Sequence, residues 1–147
     1  MTELETLLIE QACQKLQMLY AVHADRGEVE AFTRLFAADG SVAVPEAPAF
    51  VGHAAIRASM QALADQGVTM RHVMTNPVVD VVDAGTATGS CYLTVYNSAA
   101  APDANGVRPV ALPATVGEYA DVFRRTPEGW RFQSRVLTRV FRPLAGD

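Results

Sequence analysis

The feature that most constrains this chain is a change of hydrophobic period near residue 69. Before it, apolar residues recur at three- and four-residue steps, the signature of helices with one buried face. Leu8, Ile9, Ala12, Leu16, Leu19 and Tyr20 mark a first helix over 4–24, and Gly27 is suited to the left-handed position that stops it. Val29, Phe32, Leu35 and Phe36 mark a second over 28–37, and Ile56, Met60 and Leu63 a third over 53–66. Between them Asp39-Gly40 reads as a turn and Ser41 to Val44 as a short strand, broken by Pro45 and Pro48. After residue 69 the period falls to two. Strands are expected over 69–82 (interrupted near Asn76-Pro77), 86–97, 114–125 and 130–141. Asp83-Ala84-Gly85 and Thr126-Pro127-Glu128-Gly129 read as turns, and 98–111 as a mobile loop. Helices first and strands later imply an α+β fold. Consecutive strands joined by turns should pair antiparallel, giving a curved sheet covered by three helices with a pocket between the layers.

A chain of 147 residues fits one domain, and with half its residues apolar it fills one core and leaves nothing for a second. Its net charge of −4 argues against nucleic acid, whose phosphates call for a Lys/Arg surplus. No apolar run approaches the ~20 residues that span a bilayer. The acidic start Met1-Thr2-Glu3-Leu4-Glu5 does not resemble a secretory signal, and Cys13 and Cys91 form no C-x-x-C pair. A cytoplasmic protein with reduced thiols is expected.

Two residues stand out chemically. Asp25 closes the first helix, where an anion meets the unfavourable end of the helix dipole. It is either a turn former before Gly27 or a carboxylate aimed at the mouth of the pocket. His72 shares a strand face with Met70 and Met74, which suits either a core histidine or a general base. His23 and His53 lie on helices and read as partly exposed bystanders. Polar groups on otherwise apolar faces complete the set: Asn97 beside Leu93 and Val95, Tyr119 and Asp121 beside Gly117 and Phe123, and Tyr20 on the last turn of the first helix. The Tyr and Asn side chains among them can donate hydrogen bonds to a developing oxyanion. Arg135 is ambiguous. With Trp130, Phe132, Val136 and Val140 as the apolar face, it alternates with Arg131, Gln133 and Arg139 on a solvated one, unless a bulge turns it inward.

Three isolated histidines without carboxylates at ligand spacing signal no metal site, and neither a nucleotide-binding glycine loop nor a G-x-S-x-G is present. No cofactor is implied.

The segments YAVHADRGEVEAFTRLFAADG, GHAAIRASM, MRHVMTNPVVDV and GEYADVFRRTPEGWRFQSRV, in this order, resemble the SnoaL-like branch of the nuclear-transport-factor-2-like superfamily over about residues 5–142. The nearest likeness is to its Asp–His lyases: scytalone dehydratase, bile-acid 7α-dehydratase and hexachlorocyclohexane dehydrochlorinase. The resemblance implies a catalytic pair Asp25–His72, with Tyr20 and Arg135 at further matching positions. The tail Phe141-Arg142-Pro143-Leu144-Ala145-Gly146 also resembles that of the dehydrochlorinase. There are departures. Ala24 stands where scytalone dehydratase has a tyrosine, and Asn97 where it has a second histidine, which argues against scytalone as substrate. The strand carboxylate of ketosteroid isomerase and the Asp-Arg-Asp set of limonene epoxide hydrolase have no clear counterpart.

The combined expectation is a cofactor-free lyase or isomerase acting on a small apolar or aromatic molecule. Asp25 would orient His72, which removes a proton, while Tyr20, Tyr119, Asn97 or Arg135 stabilises the resulting charge. Dehydratase-like elimination is favoured, with cyclase or isomerase chemistry as alternatives. A non-catalytic binding module of the same fold is the rival reading. The resemblance also implies a homo-oligomer, trimer or dimer, with the face bearing Tyr92, Thr94 and Tyr96 as a contact surface.

Overall fold

A computed structural model describes residues 1–110 and 113–144. Helix α1 (Glu3–Arg26) opens with a reciprocal cap: the Glu5 amide donates to the Thr2 hydroxyl at 3.2 Å, and the Thr2 amide to the Glu5 carboxylate at 2.7 Å. Those bonds hold the Glu5 carboxyl below its usual range. The helix ends as expected at Gly27, whose φ of 65° lets its amide return to the Ala24 carbonyl.

The next segment departs from the periodicity. Helix α2 spans only Val29–Thr33, because strand β1 (Phe36–Ala43) starts early. The Phe132 amide donates to the Leu35 carbonyl at 2.9 Å, and Phe36 pairs with Phe132. Asp39-Gly40 is therefore not a turn between elements. It sits inside β1, at a register shift between Phe36 and Ser41. A Cβ on Gly40 would lie 2.8 Å from the Phe132 carbonyl oxygen, so the glycine permits a close backbone approach. A two-residue strand β2 (Phe50–Val51), which the sequence pattern does not reveal, leads into α3 (Gly52–Asp65).

The remaining strands fall close to expectation: β3 (Thr69–Val81), β4 (Thr86–Ser98), β5 (Thr115–Thr126) and β6 (Gly129–Phe141). The sheet order is β2-β1-β6-β5-β4-β3. β3 to β6 form an antiparallel meander, and β1 adds parallel to β6. β3 is interrupted where anticipated: Asn76 adopts φ 53° and the register shifts between Thr75 and Val78. Segment 98–110 is organised by Asp103, whose carboxylate accepts the amides of Asn105 and Val107 at 2.8 and 2.9 Å.

The expected faces of β6 are corrected by a bulge. Val122 pairs with Ser134 while Phe123 pairs with Phe132, leaving Gln133 as the extra residue. Trp130 and Phe132 face the core, but the phase then reverses. Val136 and Val140 point outward, and Arg135 points into the interior, fully buried.

The concave face of the sheet and the helices enclose one aromatic core, including Tyr20, Phe32, Phe36, Ile56, Phe123 and Phe132. The opposite face exposes Val73, Tyr92, Tyr96 and Val136. No described helix is long and apolar enough to cross a membrane.

Candidate active site

Asp25 lies on the last turn of α1, and His72 on the concave face of β3. Their contact joins helix to sheet. His72 Nδ1 lies 2.6 Å from Asp25 Oδ1. The His72 backbone amide also donates to the same carboxylate, at 3.2 and 3.0 Å to its two oxygens. These bonds replace the hydration a carboxylate loses at a helix C-terminus. Both side chains are nearly buried, 12% exposed for His72 and 11% for Asp25. An ionised carboxylate only accepts, so Nδ1 carries the ring proton and Nε2 holds the lone pair. Among the described residues Nε2 takes no hydrogen-bond partner from the protein. A nitrogen of this kind, held in one tautomer by a carboxylate, can accept a proton and leave the imidazolium stabilised.

Behind Tyr20 lies a second, fully buried cluster. The Asp121 carboxylate takes two parallel bonds from Arg135, Nε to Oδ1 at 2.7 Å and Nη2 to Oδ2 at 2.8 Å. Gln17 Nε2 adds a third to Oδ2 at 3.0 Å. The guanidinium carbon sits 4.4 Å from the ring centre of Tyr20, 4.1 Å from that of Tyr119 and 4.5 Å from that of Phe132. A planar, weakly hydrated cation suits such a cage of ring faces. Burial works against its charge, but the Asp121 carboxylate outweighs burial and raises the Arg135 pKa. The neighbouring acids respond to the same dry environment. Burial pushes both tyrosine hydroxyls above their ordinary range, with Arg135 partly opposing the shift. Burial likewise pushes the Cys91 thiol to about 11.

The two clusters meet at Tyr20. Its ring stands edge-on to His72, centroids 6.3 Å apart, and its hydroxyl accepts from that of Tyr119 at 3.5 Å, at the limit of a hydrogen bond. On its other side Tyr20 lines an apolar cleft of about 730 Å³ under α3, with Phe32, Val42, Phe50, Met60 and Leu63. Asp25 and His72 do not line this cleft.

Of the six residues singled out from sequence, five thus come together: Asp25 and His72 as a pair, and Tyr20, Tyr119 and Arg135 as a stacked group beside it. Arg135 reaches the interior through the bulge as a partner of Asp121 through Nε and Nη2, while its Nη1 is buried without a hydrogen-bond partner among the described residues. Asn97 is separated from them. It is exposed near the end of β4, paired with Met70 and without contact to the tyrosines. Gln17 is the residue that sequence reasoning missed, since one amide on an amphipathic helix carries no signal. Asp121 was legible as an acid on an apolar face, though not as the partner of Arg135. His23 and His53 are engaged elsewhere, with Glu28 and with the Phe36 carbonyl.

Helices packed on the concave side of a curved, unclosed sheet are the architecture of the nuclear-transport-factor-2-like class. Residues 5–136 match the SnoaL-like domain, and the chain belongs to that family. Comparison with curated proteins finds no match. Among solved structures, an NTF2-like protein with a cystatin-like fold from Novosphingobium aromaticivorans is 29% identical, with a TM-score of 0.75, over 98% of this chain and 87% of that one. A protein of the same organism described as a candidate scytalone dehydratase is 18% identical, with a TM-score of 0.80, over 95% and 89%. LinA is 17% identical, with a TM-score of 0.81, over 100% and 97%. The last two likenesses concern the fold alone. Other similar structures are described as being of unknown function.

Proposed function

We propose that this protein is a lyase or isomerase that works by proton abstraction at His72, with dehydratase-like elimination as the favoured reaction. The observation that carries the reading is the 2.6 Å Nδ1–carboxylate contact, which leaves Nε2 unpartnered in a nearly dry site. Asp25 fixes the ring and stabilises the imidazolium. His72 Nε2 takes a proton next to an electron-withdrawing group of a small apolar or aromatic substrate. The Tyr20 hydroxyl, backed by Tyr119 and the Arg135 cation, donates to the negative charge that develops. Loss of a β-leaving group completes an elimination, and reprotonation elsewhere completes an isomerisation. The dehydratase name of a structural neighbour agrees with the first.

The test is a panel of β-hydroxy carbonyl compounds and their unsaturated products, assayed in both directions. On any substrate turned over, His72→Ala is expected to lose about 10²–10⁴-fold in kcat. Asp25→Asn should fall in the same range. Undiminished turnover by His72→Ala would exclude the mechanism.

A second reading rests on the apolar cleft under α3, which Tyr20 lines and the pair does not. In it the domain is a binding module, and a hydrophobic ligand binds equally well to the parent and to His72→Ala, with no turnover of either. In both readings the exposed Tyr92 and Tyr96 face is our choice for contact between copies in a dimer or trimer.

A further inference from the structure

We propose that the rim of the sheet beyond His72 holds a binding site for a small anion, a carboxylate or phosphate, formed by Arg71 and Arg108. The site is separate from the Asp25–His72 pair and does not depend on the active-site reading above. A cavity of about 220 Å³ lies between the start of β3, the end of β4 and the 98–110 segment. Its lining includes both arginines with Thr69, Tyr96, Asn97 and Ser98, and no acidic residue. Among the described residues neither arginine has a carboxylate partner within salt-bridge distance. Each uses one Nη1 group on a main-chain carbonyl, Arg71 on Met70 at 2.7 Å and Arg108 on Ala100. Every guanidinium has five N–H donors, so donors remain on both. The nearest acid along the segment, Asp103, is occupied by its own turn amides. The segment is also tied to the sheet, by the Ser98 hydroxyl donating to the Pro109 carbonyl at 2.7 Å.

Two cations line one small cavity with no carboxylate beside them, so an anion entering it meets unused donors on both. Their position sets them apart from the catalytic pair. Arg71 pairs with Tyr96 and alternates with Met70 and His72, so it lies on the face of β3 opposite the catalytic pair.

The experiment follows amide and side-chain NMR shifts on titration with inorganic phosphate, benzoate and benzyl alcohol at low salt, in the parent and in Arg71→Gln/Arg108→Gln. The expected result is saturable phosphate and benzoate binding with shifts centred on residues 69–71, 96–98 and 106–110. The double variant should bind both at least tenfold more weakly, and benzyl alcohol should not shift those signals. Benzoate binding in preference to phosphate marks a carboxylate-bearing ligand, and the reverse marks a phosphorylated one. No saturable binding to the parent, shifts located elsewhere, or equal affinity in the double variant would overturn the proposal. Circular dichroism of the variant guards against a folding defect, and single Arg→Lys variants, which keep the charge, should bind intermediately. His72→Ala should bind both anions like the parent, so failure of the catalytic reading and failure of this one are told apart.

Discussion

Removing the charge of Asp121 without changing its shape should be among the most damaging single substitutions in this protein. In Asp121→Asn the Arg135 guanidinium stays fully buried, loses its two charge-assisted bonds at 2.7 and 2.8 Å, and cannot neutralise itself by giving up a proton. Breaking a buried pair from one side costs about 3–5 kcal/mol. A domain of this size has about 5–15 kcal/mol in total. With an unfolding entropy of about 2.1 cal/mol/K per residue, 147 residues have about 0.3 kcal/mol/K, so the melting temperature should fall by about 10–16 °C. Arg135→Met should also destabilise, because it leaves the Asp121 carboxylate buried with Gln17 as its remaining side-chain partner. Replacing both partners by apolar residues, Asp121→Leu with Arg135→Met, should recover much of the loss, since no charge then remains to be desolvated. Chemical denaturation of the parent, Asp121→Leu, Arg135→Met and the double variant closes a double-mutant cycle, with Asp121→Asn measured beside it. A cost below about 1 kcal/mol for Asp121→Asn, or a double variant no better than the worse single one, would refute the claim that this pair acts as one buried unit.

Three more predictions concern other parts of the interior. Burial raises the pKa of Tyr20 and Tyr119, so the folded state holds their protons more tightly than the unfolded state. Their contribution is complete below the unfolded tyrosine value near 10 and declines as the pH rises above it, so stability should fall there, and Tyr20→Phe should remove absorbance only from the late part of an alkaline titration at ~295 nm. Burial also lifts Cys13 to about 12 and Cys91 to about 11, so iodoacetamide at pH ~8 should label neither thiol in the native protein and both after unfolding. Gly40→Ala places a methyl group 2.8 Å from the Phe132 carbonyl oxygen, which should cost about 1–3 kcal/mol in urea unfolding by forcing β1 away from β6.

Much of this architecture was legible from periodicity, because each element with an uninterrupted pattern faces a single apolar layer. The alternation of β3 correctly placed His72 on one face with Met70 and Met74, and Gly27 correctly marked the end of α1. The misreadings arise where long-range pairing overrides local pattern. Phe36 suits a helix or a strand equally well, and its pairing with Phe132 makes the choice. Gly40 looks like a turn residue because the residue it accommodates is 92 positions away. In β6 a single extra residue, Gln133, reverses every face assignment after it, and nothing in Gln133 itself announces a bulge. The site was legible in part for a related reason. Its polar members lie on apolar faces, where they stand out, whereas Asn97 met the same criterion and lies at an exposed strand end.

The contact between the His72 main chain and Asp25 has a consequence for how the pair would survive damage. Half of what anchors the carboxylate is a peptide N–H, which every substitution at position 72 except proline retains. In His72→Ala the acceptor therefore stays where the wild-type ring found it, facing a gap the size of that ring. Free imidazole diffusing into the gap would meet a partner already oriented for it. The lost base becomes a replaceable part, and activity restored by added imidazole would register how firmly the backbone keeps its seat.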